Sequence, residues 1–390
     1  MKKDKTKDIV DYVNSLKELK TERNLPSELQ NKTAVLGEAQ KEPIDKKMKI
    51  GIVGVGSIGQ TIAVLLKDKG FDVEITKKSK NSLVIDNMVN LEINGAFGDH
   101  SILIPYVEDN KFTSKKDVII MCTQSFSTVG ALQEVKKYLK ANGVVVSIQN
   151  VLNIFEVLEI IPPERYVAMV IDWTASRIEE NHVVVLRNGD MHIGVFDEKA
   201  EAHLPKIKSM LDAVANTVIK TNMMSFIASR FVLSSTLSCV LAITGHNLKK
   251  SLTNKTTRKL IVGTIAEMLE VFEAYDIKVF PYCNCLDYYK FVKRGLKGWI
   301  YRNIIFNRLM NKNGDLTSSQ LRALENKKRT ELDSMCASIV NMAKAKNIDV
   351  PFNETISNFL YDVEEGKETI FMENLNKPCF TNLKIKWSKK

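Results

Sequence analysis

KIGIVGVGSIGQTIAVLLKDKGFDVEITKKSK, residues 49–80, opens on an apolar run, passes three glycines spaced G-x-G-x-x-G and ends in lysines. Lys49 to Val53 has the composition of a short strand, and Gly54, Gly56 and Gly59 follow it. Thr61 to Leu66 then carries helical apolar spacing, and FDVEIT, 71–76, reads as the next strand. Strand, turn, helix and strand within about thirty residues is the context that lifts a glycine motif above coincidence. Each glycine has a mechanical reason. The first permits the tight turn, the second lets backbone approach a pyrophosphate, and the third lets helix pack closely on strand, while the helix N-terminus faces the phosphates. Gly54, Val55, Gly56, Ser57, Ile58 and Gly59 are therefore expected to bind a dinucleotide, with a purely structural glycine turn as the alternative.

Which dinucleotide depends on the end of the second strand. An acidic side chain there accepts hydrogen bonds from the ribose 2′-hydroxyl of NAD, whereas a base meets the 2′-phosphate of NADP. This chain offers Lys77, Lys78, Ser79 and Lys80. Glu74 lies near the spacing of an NAD acid but sits inside the strand, before the lysines. NADP is favoured, with Lys78 beside its 2′-phosphate.

Downstream, SLVIDNMVNLEINGAFGDHSILI reads as strand and turn. The alternation then resumes with DVIIMCT as a strand, Val129 to Leu139 as a helix and GVVVSIQN as a strand. Ligands of open α/β sheets gather beyond the carboxyl ends of the strands, so Cys122 to Ser125, including Gln124, and Gln149 to Asn150 are candidates to line the cofactor cleft. Strand-like runs YVAMVIDW, HVVVLRNG and MHIGVFD follow, then a helix around 199–214, and beyond about residue 220 the pattern is helical. The expected architecture is an α/β N-terminal Rossmann-type dinucleotide-binding domain over 48–220 followed by an all-α C-terminal domain over 221–375. A charged extension, 1–47, and a basic tail, 376–390, flank them.

The chain has 390 residues, 44% of them hydrophobic, enough for two or three ordinary cores. Its formal charge of +10 suits phosphate-bearing ligands, but the charge is diffuse apart from YYKFVKRGLKGWIYRNIIFNRL and the acid-free tail NKPCFTNLKIKWSKK. Those runs read as solvated faces, and without a nucleic-acid module no nucleic acid is expected as partner. The cysteines Cys122, Cys239, Cys283, Cys285, Cys336 and Cys379 lie mostly in apolar runs and show no secreted disulfide rhythm. They read as reduced, buried thiols in a cytoplasmic protein. Cys283 and Cys285 have no second Cys/His pair nearby, so no metal site is expected. Residues 1–47 resemble neither a secretory signal nor a transit peptide. No uninterrupted apolar stretch reaches about 18 residues, so no membrane span is expected. The oligomeric state is not legible, and a homodimer stays open.

Two features stand out in the helical part. In SRFVLSSTLSCVLAI, Arg230, Ser234 and Ser238 recur at i, i+4 and i+8 on an otherwise apolar helix. Such a stripe is either an anion-binding wall, or serines bonded back to preceding carbonyls with an arginine on a structural carboxylate. In TSSQLRALENKKRTELDSMCASIV, Leu332, Met335, Cys336, Ile339 and Val340 give a helical apolar face, and Thr330 as N-cap would put Glu331 in the first turn. A carboxylate there ordinarily just complements the helix dipole.

The order of these features resembles the ketopantoate reductases, two-domain NADPH-dependent enzymes that reduce 2-dehydropantoate to pantoate on the route to pantothenate and coenzyme A. The resemblance runs from about Met48 to about Val363, and KIGIVGVGSIG, GDMHIGVFD and SSQLRALENKKRTELD are its most specific pieces. It implies NADPH as cofactor and a small-molecule 2-oxo acid as substrate. By position it implies that Asn150 contacts substrate and ribose, that Ser319 binds the substrate carboxylate, and that Glu331 orients the catalytic amine and substrate beside the cofactor.

The departures matter as much. Arg230 stands where the family has a lysine, Ser234 and Ser238 where it has asparagines, Gln124 where it has a cofactor-side lysine, and Val151 where it has a glycine. A desolvated lysine can lower its pKa and donate the proton that completes hydride transfer, whereas arginine stays charged and is a poor proton donor. Arg230 can still polarise a carbonyl and clamp a carboxylate, so Arg230 and Glu331 remain the catalytic candidates, and Asn150, Ser234, Ser238 and Ser319 the substrate-binding ones. Three functions stay open: a ketopantoate reductase, an NADP-dependent reductase of another 2-oxo acid, and an NADPH-binding protein without turnover.

Overall fold

The computed structural model describes residues 45–77, 83–148, 153–281 and 286–387. Lys78, Gln149, Asn150, Val151, Cys283 and Cys285 lie outside the described residues. The chain divides into an α/β unit that ends at Met223 and a helical unit that begins at Met224.

The α/β unit runs β1 (Lys49–Val53), α1 (Ser57–Asp68), β2 (Asp72–Lys77), β3 (Met88–Gly95), β4 (His100–Glu108), β5 (Lys116–Met121) and α2 (Ser125–Val135). It continues with β6 (Leu139–Ile148), α3 (Asn153–Leu158), β7 (Tyr166–Ile171), β8 (Thr174–Glu179), β9 (His182–Arg187), β10 (Met191–Gly194), α4 (Leu204–Leu211) and β11 (Thr217–Ile219). These strands form one 11-stranded sheet in the order β11-β10-β7-β6-β5-β1-β2-β4-β3-β9-β8. Strand β1 lies between β2 and β5 and is parallel to both. The chain leaves β1 toward β2 and β4 and later returns to β5 on the other side. The carboxyl ends of β1 and β5 therefore flank the point where strand order reverses, the place where such sheets bind ligands. Ile50, Ile52, Val73, Ile75, Ile120 and Val146 are fully buried in the core, as the near-continuous apolar runs of a two-sided parallel sheet require.

Two expected helices differ in extent. The one read as Val129 to Leu139 starts earlier, at Ser125, and tightens into a 3-10 turn at Lys136–Tyr138 before Leu139 enters β6. The one read over 199–214 is a 3-10 segment, Glu198–His203, followed by α4. Pro205 has no N–H to return to Glu201, so a continuous α-helical ladder cannot run through it.

The helical unit contains α5 (Met223–Thr244), α6 (Leu248–Ser251), α7 (Lys255–Ala274), α8 (Tyr288–Phe291), α9 (Leu296–Asn313), α10 (Ser319–Glu325), α11 (Cys336–Ala345), α12 (Pro351–Glu364) and α13 (Pro378–Thr381). Helix α5, with 22 residues, is long and apolar enough to cross a membrane by length and composition alone, its most apolar 18-residue stretch having a mean hydropathy of 1.8. Its apolar stretch is 72% buried inside the protein, which makes it the core helix of this unit. The start of α12 is anchored by Glu267 of α7, whose buried carboxylate accepts the N–H groups of Phe352 and Asn353 at 2.8 and 2.9 Å. Burial nonetheless pushes that carboxyl up to about 7.

The two basic runs meet, because the Arg302 guanidinium lies over the Trp387 ring at 4.8 Å. Leu296, Trp299, Ile300 and Ile304 are exposed along α9, so this solvated face carries large apolar side chains among its basic ones. The thiols are likewise mixed: Cys239 and Cys336 are buried, Cys122 is half-buried, and Cys379, expected to be buried, is exposed on the short α13.

Candidate active site

The glycine turn sits at the strand-order reversal. Gly54 adopts φ +92°, and its N–H donates to the Thr76 carbonyl at 3.0 Å. A Cβ on Gly54 would lie 2.9 Å from the Cys122 carbonyl carbon and oxygen, so the turn after β1 presses directly on the end of β5. Gly59 is packed harder still, since a Cβ there would fall 2.0 Å from the Gly54 carbonyl oxygen. Gly56 differs from both: a Cβ there meets nothing within 4 Å. The protein's own packing therefore requires the first and third glycines, while the second faces open space.

Gly56 is also the N-cap of α1, has no side-chain cap, and is followed by a first turn without an acidic residue. The first-turn N–H groups and the positive end of the helix dipole thus meet an open approach with no acidic side chain in that turn. That cradle fits the pyrophosphate of a dinucleotide. Ser57 and Ile58 are half-buried in this first turn, and Val55 is buried. Across the turn, Gln124 is exposed at the N-cap of α2. Its carbonyl accepts the Thr128 hydroxyl at 3.1 Å, and Thr128 also meets the Thr123 hydroxyl at 2.8 Å. Burial of its sulfur pushes the Cys122 thiol beside it up to about 12, which favours the protonated form.

Glu74 is no ribose ligand. Its buried carboxylate lies 2.6 Å from the Lys116 ammonium and accepts the Thr113 N–H at 3.2 Å, inside the sheet. Lys77, the last residue of β2, is paired with Glu180 at 3.3 Å. Glu180 begins the turn of the β8–β9 hairpin, whose first strand sequence periodicity did not reveal because TASRIE is mostly polar and mostly exposed. The same hairpin brings Arg177 to the glycine turn, where its guanidinium donates to the Val55 carbonyl.

In the helical unit, Arg230, Ser234 and Ser238 do share an accessible line. Phe226, Arg230, Leu233, Ser234 and Ser238 are at least partly exposed on α5, while its other residues from Met223 to Thr244 are buried. The two serines differ in their bonding. Ser234 bonds back to the Phe231 carbonyl at 3.4 Å, and Ser238 lies 3.3 Å from the Ser318 hydroxyl. Ser318 was not singled out by sequence, yet its hydroxyl donates to the Ser238 carbonyl at 2.6 Å and accepts the N–H groups of Gln320 and Leu321, each at 3.1 Å. It is the N-cap of α10, and it fixes the start of that helix against α5.

Ser319 is the next residue and is exposed. The buried amide of Gln320 donates to the Ser319 hydroxyl at 3.3 Å, and its oxygen accepts the Glu331 N–H at 2.8 Å. Glu331 does not sit in the first turn of an α-helix, as Thr330 capping would have it. It precedes a 3-10 turn, Leu332–Ser334, and α11 begins only at Cys336. Thr330 is instead held by Glu364, which accepts its N–H at 2.9 Å and its hydroxyl at 3.2 Å. The Glu331 carbonyl in turn accepts the Ser334 hydroxyl at 3.0 Å. Gln320 and Ser334 therefore fix the backbone carrying the half-buried Glu331. Among the described residues no cluster of three or more metal-ligating side chains occurs.

Known proteins place this arrangement. Residues 50–198 match the family profile described as ketopantoate reductase PanE/ApbA, and residues 222–364 match the one described as its C-terminal domain. A 2-dehydropantoate 2-reductase of Aquifex aeolicus is 23% identical over 320 residues, 80% of this chain and 95% of the relative. A PanE/ApbA family ketopantoate reductase from Ralstonia eutropha superposes with a TM-score of 0.69 at 19% identity, covering 83% of this chain and all of that one. A ternary structure of D-mandelate dehydrogenase with NADH and anilino(oxo)acetate gives 0.70 at 17% identity, over 82% of this chain and 99% of that one. A Rossmann-type α/β unit and a helical unit, joined in this order and matched along both, make the chain a member of the ketopantoate reductase family, oxidoreductases acting on CH–OH groups.

Proposed function

We propose that the protein reduces a 2-oxo acid at the expense of NADPH, and that the substrate is 2-dehydropantoate, which it converts to pantoate. The observation that carries this reading is the chain of contacts from Ser238 through Ser318, Ser319 and Gln320 to Glu331, beside the accessible Arg230–Ser238 line of α5. It ties the backbone of Glu331 and the hydroxyl of Ser319 to Ser238, which lies on the same accessible helix line as Arg230, and these residue types suit the binding of a small oxo acid.

Bound nicotinamide supplies the hydride. The chain's own part is binding and polarisation. The Ser319 oxygen accepts from Gln320, which turns its O–H outward as a donor for a substrate carboxylate. Arg230 stabilises negative charge developing on the ketone oxygen, and solvent water delivers the proton that arginine does not give up. Gly54 to Gly59 hold the pyrophosphate, with the 2′-phosphate assigned to the lysines after β2, Lys78 among them. Asn150, Gln124 and Glu331 complete the cofactor contacts in this reading.

Exchange of the family lysine for Arg230 and of its asparagines for Ser234 and Ser238 also favours a second reading, a reductase of a different 2-oxo acid. Purified protein, followed by loss of nicotinamide absorbance against a panel of 2-oxo acids, decides between them. Turnover fastest with 2-dehydropantoate and NADPH supports the proposal, and faster turnover of another acid selects the second reading. Binding of NADPH without turnover of any acid overturns both in favour of a non-catalytic protein. Arg230→Ala with wild-type reduction would remove the role given to that residue.

A further inference from the structure

We infer that Arg177, carried to the glycine turn by the β8–β9 hairpin, is a phosphate ligand of the bound dinucleotide, and that the Lys77–Glu180 pair on the same hairpin tunes the choice between NADPH and NADH. This rests on the reading of Gly54 to Gly59 as a dinucleotide cradle.

The hairpin is built onto the cradle at three points. The Gln60 side chain of α1 donates to the carbonyls of Glu92, at 3.1 Å, and of Asn181 in the hairpin turn. Arg177 donates to the Val55 carbonyl between the first two glycines. Glu180 pairs with Lys77 at the end of β2. Among the described residues strand β9 pairs with β3 and β8, and these side-chain contacts add links from the hairpin to the glycine turn and to the end of β2.

Fold stability alone does not account for an arginine here. Val55 lies two residues before the first turn of α1, whose uncapped N–H groups already make this spot positive. A guanidinium added there is electrostatically unfavourable until an anion arrives, and then both features favour that anion together. Arg177 is exposed, and one of its five N–H donors is engaged by Val55. The remaining fork is the geometry that recognises phosphate oxygens. The Lys77 ammonium is partly neutralised by Glu180, so a 2′-phosphate must compete with that carboxylate, while a 2′-hydroxyl need not.

The test is titration of full-length Arg177→Gln, Arg177→Lys and Glu180→Gln with NADPH and NADH, read by quenching of protein fluorescence and not by activity. Loss of a charge-assisted phosphate contact weakens binding roughly ten- to hundredfold. A loss confined to NADPH places Arg177 on the 2′-phosphate, an equal loss for both places it on the pyrophosphate, and either supports the inference. Arg177→Lys is expected to retain part of the affinity. Glu180→Gln is expected to raise the preference for NADPH over NADH. Wild-type binding with Arg177→Gln unchanged for both nucleotides overturns the inference and leaves the cradle intact, whereas a wild-type protein that binds neither overturns the cradle as well.

Discussion

Gln320 and Glu331 are joined by a 2.8 Å hydrogen bond from the Glu331 N–H to the buried Gln320 side-chain oxygen, and the same side chain reaches the Ser319 hydroxyl at 3.3 Å. Two positions eleven residues apart are thereby held in one frame, although the chain from the end of α10 at Glu325 to Glu331 forms neither helix nor strand.

Gln320→Leu is therefore expected to cost stability and activity together. It leaves the Glu331 N–H without its acceptor, a loss of about 1–3 kcal/mol. Thermal unfolding should shift down, and kcat/KM should fall further than stability alone explains because Ser319 loses its orienting donor. An unchanged kcat/KM in a folded variant would show that the bridge is merely structural.

The second and third glycines should respond in opposite ways to the same substitution. Gly59→Ala places a Cβ 2.0 Å from the Gly54 carbonyl oxygen and must displace α1, so unfolding at lower temperature is expected. Gly56→Ala meets nothing within 4 Å, so it should fold normally while its methyl group blocks close approach of a pyrophosphate. Circular dichroism melts and NADPH titrations of the pair measure the contrast.

Arg230→Lys introduces the residue type that the family resemblance implies at this position. Arginine remains charged across the working range, so the wild-type rate should show no basic limb from this position. The lysine variant is expected to gain one, with kcat falling as pH rises and the ammonium is lost. A pH–rate profile of both proteins is the measurement.

Glu267 makes stability depend on pH. Its carboxyl is raised from 4.5 to about 7 in the folded state, so between those values the native protein binds more protons than the unfolded chain. Stability should fall as pH rises across that window and level off above it, by about 3 kcal/mol in total. Glu267→Gln keeps an acceptor for Phe352 or Asn353 and should flatten the curve, which denaturant melts at several pH values would show.

What the sequence determined by itself is local. G-x-G-x-x-G after an apolar run is a steric statement, legible because each glycine is needed within a few residues of its neighbours, and the i, i+4, i+8 line of Arg230, Ser234 and Ser238 follows from helical geometry alone. Family resemblance added Ser319 and Glu331. What only the tertiary structure decided depends on partners far along the chain. Arg177 meets Val55 across 122 positions, Lys116 takes Glu74 out of the ribose question across 42, and the Ser318 cap reaches Ser238 across 80. A polar strand such as TASRIE has no apolar period to announce it, and a buried glutamine announces nothing until both ends of its amide find a partner.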